Sequence, residues 1–425
     1  MGSRRLVWGG ATVLAFAVAA GAGFIFFQAS ASAQGAAPSY RVNALWPQPF
    51  PDEWVLGSVT GVTTDAQNNV WVVHRGNDSL EPAERGMAQT GPAGFALSTS
   101  SVCCFAAPFV LKFDPAGKIV GSWGGPSSNY KWPQSPGGIV VDAKGNVWIS
   151  GGGLEPAPAG GRGRGGPPAA APAGRGGAPA APPPPPVPDA HVLKFSGDGK
   201  YLLTIGTPGK MDGPDSQTTL NRPTGMAYDA AANEIFVADT GNRRIAVFDA
   251  DTGAYKRHWF AYGEKVGGPA PGPYSPSEPA AKSFRDATCV EVARDGMVYV
   301  CDKSSNRIQV FDKSGKFIKE QIVSKTTMGG VVAGTFGVLN AAGSVWDLAL
   351  SNDPQQRYLF VANGQDKKVH ILQRDTLNQV GTVGAGGRYP GLFLAVGSVA
   401  VDGQGNLYTG EAHHGKRVQK FVQGR

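Results

Sequence analysis

The stretch "GIVVDAKGNVWIS", Gly138 to Ser150, decides the fold. A short apolar run leads into a turn built on Asp142, Gly145 and Asn146, and a second apolar run carrying Trp148 leads out. Apolar strand, Asp/Asn/Gly turn, apolar strand is the signature of a β-hairpin. A glycine pair, Gly137-Gly138, stands at its head.

The same pattern occurs five more times: "GVTTDAQNNVWVV" from Gly61, "GMAYDAAANEIFVAD" from Gly225, "CVEVARDGMVYVCD" from Cys289, "LALSNDPQQRYLFVAN" from Leu348 and "SVAVDGQGNLYTGE" from Ser398. Each is followed by a third strand: "FVLKFDPAGKIVGSWG", "HVLKFSGDGKYLLTIG", "RRIAVFDADTGAYKRHW", "RIQVFDKSGKFIKEQIV", "KVHILQRDTLNQVGTVG" and "RVQKFV". Five of these run through a turn into a fourth strand, whereas the sixth stops at the C-terminus. One four-stranded sheet cannot bury both faces alone, but sheets stacked radially around an axis can. The expectation is an all-β, six-bladed propeller of four-stranded antiparallel blades. "YRVNALWP" (Tyr40 to Pro47) is the strand left over, so it is expected to pair into blade six and close the ring.

A 41% hydrophobic content with 17% charge suits a sizeable core, and 61 glycines and 33 prolines suit many tight turns. The N-terminus carries the basic start "MGSRR", an apolar run from Leu6 to Phe27, and "ASA" (Ala31 to Ala33), a small-x-small cleavage pattern. Residues 1–33 therefore read as a signal peptide or as a membrane anchor, since the run is long enough to cross roughly 30 Å of hydrocarbon. Both readings put the propeller, residues 34–425, outside the cytoplasm, periplasmic or extracellular. The formal charge is +7, but residues 1–33 supply +2 and residues 151–188 another +2, which leaves +3 for the rest. A nearly balanced body argues against a nucleic-acid partner.

Two insertions interrupt the repeats. Residues 155–188 are Gly/Pro/Ala/Arg-rich and read as a disordered spacer within blade two. Residues 76–108 form a long mixed loop of the kind that covers binding sites. Cys289 and Cys301 flank a hairpin turn, which leaves a disulfide between them open. The adjacent Cys103-Cys104 reads as two small side chains in a loop, with a redox-active pair as the alternative.

Four segments carry a resemblance: "LGSVTGVTTDAQNNVWVVHRG" (Leu56 to Gly76), "NRPTGMAYDAAANEIFVAD" (Asn221 to Asp239), "YVCDKSSNRIQVF" (Tyr299 to Phe311) and "GNLYTGEAH" (Gly405 to His413). They resemble NHL-type propellers, and within these the peptidyl-α-hydroxyglycine α-amidating lyase domain and its bacterial relatives. The resemblance spans roughly residues 40 to 425 outside the insertions. It implies a channel zinc held by three histidines, at positions that here are Gly137, Thr288 and Gly397. Glycine offers no ligand and threonine only a weak oxygen, so zinc is not expected. The family's catalytic tyrosine would fall within Asp239-Thr240-Gly241-Asn242, which has none. A calcium implied by the family would use carbonyls at Val62 and Ile139 and an aspartate that here is Ser398, so calcium is not expected either. Arg75 retains a substrate-contacting arginine, and Lys303 stands where a second arginine would be.

The expected site is the channel mouth, with Arg75, Lys303, His74, Thr288 and His413 as ligand-binding candidates and His414 beside them. Glu291 and Asp347 lie at channel depth without completing a metal set. The expected ligand is a small molecule, peptide or protein, anionic in character, bound by a monomer. The alternative is an amidating-lyase-like carbon–nitrogen lyase with a rearranged site.

Overall fold

Every repeat of the hairpin becomes the first two strands of one sheet. The computed structural model describes residues 37–80, 84, 104–153, 189–327 and 343–424. Blade one comprises strands Val59–Thr64, Val70–His74, Val110–Phe113 and Ile119–Trp123. Blade two comprises Pro136–Val141, Val147–Gly151, His191–Phe195 and Tyr201–Gly206. Blade three follows with Pro223–Asp229, Glu234–Asp239, Arg244–Asp249 and Tyr255–Trp259. Blade four runs Ala287–Val292, Met297–Asp302, Arg307–Asp312 and Phe317–Ile322. Blade five runs Asp347–Leu350, Tyr358–Asn363, Lys368–Gln373 and Gln379–Val383.

Blade six takes Val396–Val401, Leu407–Glu411 and Val418–Gln423 from the C-terminus and its outermost strand, Tyr40–Asn43, from the other end of the chain. That strand pairs antiparallel with Val418–Gln423, Tyr40 opposite Gln423 and Asn43 opposite Lys420. The ring is closed as the strand count implied. An unforeseen two-residue parallel pair, Trp54–Val55 with Phe105–Ala106, ties the chain ahead of blade one to the returning end of the long loop. Residues 1–33 and 155–188, and most of 76–108, lie outside the described residues. Among the described residues no helix is long and apolar enough to cross a membrane.

The turn chemistry explains why the pattern repeats. Asp142 accepts the backbone N–H groups of Lys144 and Asn146 at 2.9 Å, the Asn146 amide at 2.9 Å, and the Trp148 indole N–H at 3.2 Å. Asp65 does the same for Gln67, Asn69 and Trp71, and Asp402 for Gln404, Asn406 and Tyr408. One carboxylate thus fixes the turn and orients the aromatic side chain two positions beyond the asparagine. Gly145, at φ +78°, closes the turn with its N–H on the Asp142 carbonyl, a conformation that suits glycine.

The aromatic and its strand neighbours then pack between blades. Six apolar cores are found among the described residues, one at each blade-to-blade interface around the ring. Cys289 and Cys301 are disulfide-bonded and face each other on the first two strands of blade four, Cα atoms 5.0 Å apart, inside the core shared with blade five. Cys104 is disulfide-bonded as well, which corrects the expectation of a simple small side chain there. Cys103 lies outside the described residues.

Candidate ligand-binding channel

The six innermost strands enclose a cavity of about 410 Å³ lined by residues of all six blades. At its first tier stand Thr60, Gly137, Thr224, Thr288, Trp346 and Gly397. These positions link neighbouring blades. The Thr224 hydroxyl donates to the Thr288 carbonyl at 2.8 Å, the Thr288 hydroxyl to the Trp346 carbonyl at 3.2 Å, and the Ser150 hydroxyl to the Thr224 carbonyl. The next tier shows why glycines head the repeats in blades one to three. A Cβ on Gly225 would lie 2.6 Å from the Thr288 carbonyl oxygen, one on Gly138 2.8 Å from the Thr224 oxygen, and one on Gly61 2.9 Å from the Ile139 nitrogen. These backbones approach too closely for any side chain. Blades four to six carry Cys289, Asp347 and Ser398 at that level.

Basic side chains gather at the mouth. Second strands end there, so the residues just beyond them, Arg75 in blade one, Lys303 in blade four and His413 in blade six, all line the cavity. Trp346 of blade five is the surface that Lys303 and His413 share. The Lys303 ammonium lies 5.1 Å from the Trp346 ring centroid, and the His413 ring meets it edge-on at 6.2 Å. Arg75, His413 and His414 also line an adjoining groove of about 760 Å³ with Lys131, Lys416, Asp78 and the aromatic rings of Phe109, Tyr130 and Trp132.

Deeper in the channel are two acids, Glu291 of blade four and Asp347 of blade five. Burial beneath the channel walls, with the Asp347 charge second, pushes the Glu291 carboxyl well above its ordinary range. Burial raises Asp347 to about 7, against the pull of the Val399 and Leu348 backbone N–H groups. Val399 donates to Asp347 Oδ2 at 3.0 Å. A carboxyl poised near neutrality can hold, release or exchange a proton for another cation.

The structure brings Arg75, Lys303, Thr288 and His413 onto one cavity, and His414 onto the groove beside it. His74 is elsewhere. It is fully buried behind the mouth, its Nδ1 accepting the backbone N–H groups of Gly57 and Gly76 at 3.0 Å and its Nε2 donating to the Pro108 carbonyl at 2.9 Å. This geometry demands the neutral Nε2–H tautomer and holds the chain ends around the mouth. Trp346 was not among the sequence candidates, although it occupies the place just ahead of the fifth repeat where site residues are expected. Among the described residues no group of three or more His, Cys, Asp and Glu side chains is arranged to hold a metal ion.

The buried neutral state of His74 has a measurable consequence. Burial pulls its pKa from 6.5 down to about 4. The unfolded chain therefore binds the proton first as pH falls, so stability is full above pH 6.5 and is lost down to about pH 4. A shift of this size corresponds to about 3 kcal/mol. His74→Gln keeps a donor and an acceptor without titrating. Urea unfolding at pH 7 and pH 4.5 should show a smaller acid loss for the variant, and equal losses would refute the assignment.

The NHL repeat family model matches residues 220–248, the first three strands of blade three. The human NHL repeat-containing protein 3 is 33% identical over 132 residues, 29% of this chain and 31% of that protein. The chain thus spans about a third of the length of the curated relative it matches. Among solved structures, a catalytically inactive virginiamycin B lyase from Staphylococcus aureus, with quinupristin, aligns at 12% identity and a TM-score of 0.43, covering 91% of this chain and 88% of that one. A structural-genomics protein of unknown function from Bacteroides thetaiotaomicron aligns at 12% identity and a TM-score of 0.47, covering 87% of this chain and 70% of that one.

Proposed function

We propose that this NHL-type propeller is an exported, monomeric binding protein that takes an anionic ligand at its channel mouth, without zinc chemistry. The carrying observation is that Arg75, Lys303 and His413 reach one cavity from three blades, with Lys303 and His413 against the Trp346 ring. A guanidinium and an ammonium on one cavity, the ammonium over an aromatic face, suit a carboxylate or phosphate attached to an apolar or aromatic body. The adjoining groove, with Phe109, Tyr130 and Trp132, suits that body. Export rests on the apolar run from Leu6 to Phe27 and the Ala31 to Ala33 pattern.

The three places where the amidating lyases carry zinc histidines support the absence of zinc from the mechanism. The Thr288 hydroxyl proton is committed to the Trp346 carbonyl. A Cβ on Gly137 would stand 2.7 Å from the Ser150 hydroxyl, and one on Gly397 3.2 Å from the Ala412 methyl. In blades two and six the first strand thus packs against the end of its own second strand where a ligand side chain would have to project. A second reading is favoured by the acid pair alone: a carbon–nitrogen lyase of rearranged design in which Glu291 or Asp347 moves a proton.

The test is a thermal-shift screen of carboxylate- and phosphate-bearing small molecules and peptides against the full chain, followed by titration of the hits. Arg75→Ala and Lys303→Ala should each weaken a hit by about 10–100-fold, the range expected for a lost hydrogen bond to a charged group. Hits whose affinity neither variant changes would move the ligand away from this mouth.

A further inference from the structure

The cavity is electrically two-ended. Arg75, Lys303 and His413 stand at the mouth, and the other titratable side chains on its wall are Glu291 and Asp347. Their relative depth follows from strand register. The second strands of blades four and five end at Asp302 and Asn363, and both Cys289 and Asp347 pair one residue short of those ends. Glu291 is two residues beyond Cys289 along the same strand, about 6–7 Å further from the mouth at 3.3 Å per residue. The acids therefore begin level with the second tier and continue inward.

The deeper end is built but unmet. Glu291 receives no hydrogen bond and no ion pair from any described residue, and Asp347 receives only backbone N–H groups, those of Val399 and Leu348. Among the described residues the charge that bears on Glu291 is that of Asp347, which has the same sign. Two acids on the wall of this channel with free lone pairs call for a cation supplied from outside. An ammonium has three donors, enough for both Glu291 oxygens and a further lone pair of Asp347.

We propose that the channel binds a zwitterion, its anionic group held by Arg75 and Lys303 at the mouth and its ammonium held by Glu291 and Asp347 below. This deepens the anion-binding reading and rests on it. The ligand class is an amino-acid-like or peptide-like molecule whose two charges are separated along the channel axis. Simple anions engage one end only and bind more weakly. Binding displaces the proton that the empty acid pair retains, so the ammonium contributes most where that pair ionises readily.

The probes are ω-amino carboxylates of increasing chain length, from glycine to 6-aminohexanoate, and their N-acetyl counterparts, titrated against the full chain. One length should bind best, and its free amine should bind at least about tenfold tighter than its N-acetyl form, the equivalent of 1.4 kcal/mol. Longer members keep their amine charged to about pH 10. The ratio of free to acetylated affinity should therefore rise from pH 6 to pH 8 as the acids give up their proton. Taking this ratio cancels the contributions of Arg75, Lys303 and His413, which act on both forms. Glu291→Gln and Asp347→Asn should each bring the ratio toward one, whereas Arg75→Ala should weaken both forms together. Equal affinity for the two forms, or a ratio that neither acid variant changes, would overturn the zwitterion while leaving the anion site standing. Binding of neither form at about 10 mM would overturn both. Calcium chloride alone, bound by the wild type and not by Glu291→Gln, would assign the acids to a metal and also overturn the proposal.

Discussion

Asp142→Ala should cost about 3–5 kcal/mol of stability, the loss expected when one partner of a buried ion pair is removed. Asp142 anchors its turn through two backbone and two side-chain donors, and it also faces Lys194 of the third strand at 3.6 Å. The Lys194 side chain is 5% exposed. Its ammonium donates to the Ala250 carbonyl of blade three at 2.7 Å and lies 4.8 Å from the Trp148 ring centroid. With Asp142 gone, that charge keeps a carbonyl and a ring face but has no anion and little water. The Asn146 amide and the Trp148 indole lose their acceptor in the same step. Urea unfolding followed by tryptophan fluorescence measures the effect. Asp142→Asn keeps an acceptor for the turn and loses only the charge, so it should fall between wild type and the alanine variant. The same substitution at Asp65 should cost less, because Lys112, at 3.5 Å, has a side chain 28% exposed and can turn to water. A loss below about 1 kcal/mol at Asp142 would mean that the buried ion pair contributes nothing and that only the turn's hydrogen bonds are lost.

The same comparison shows why the fold was readable in the chain and part of the site was not. The bonds of the Asp142, Asp65 and Asp402 turns run between residues two to six positions apart, so composition and spacing report them directly. Strand counting sufficed for the ring, since one sheet lacked a strand and one strand lacked a sheet. The Cys289–Cys301 bond depended on which residues form the intervening turn, and a slip of one residue would turn the two side chains to opposite faces. Arg75, Lys303 and His413 were found because they follow second strands, a place the repeat defines. The placement of Lys303 over Trp346 joins residues of different blades, and nothing local encodes that contact. His74 shares the apparent mouth position of Arg75 but points inward, because its ring nitrogens meet Gly57, Gly76 and Pro108 from three stretches of chain. Glu291 and Asp347 were visible one at a time. Their pairing required the register of two adjacent blades.

A chain beginning at Pro47 should lose several kcal/mol and should associate with itself. The deleted segment joins three blades. Tyr40 packs edge-on against Phe360 of blade five at 5.6 Å and donates its hydroxyl to the Gly405 carbonyl of blade six at 3.2 Å. Its strand pairs with Val418–Gln423 over four residues. Trp46, 4% exposed, then lies between Phe113 of blade one and Tyr408 of blade six at 5.6 and 5.1 Å. Loss of a buried tryptophan by itself costs about 3–5 kcal/mol. The strand adds about 0.5–1.5 kcal/mol for each hydrogen bond made, offset in part by the entropy of ordering its residues. What distinguishes this deletion from a core mutation is its second effect. Val418–Gln423 becomes an unprotected edge that carries Phe421, packed on Phe393, a template for pairing with another chain. Trp46→Ala should destabilise without association, because the closing strand remains in place. Denaturation midpoints compared with light scattering over a range of protein concentrations separate the two effects. The added peptide of residues 37–47 should restore both the midpoint and the monomer. If the truncated chain kept its midpoint and stayed monomeric, the ring would be held by its blade-to-blade cores alone, and the N-terminal strand would be only a cover on blade six.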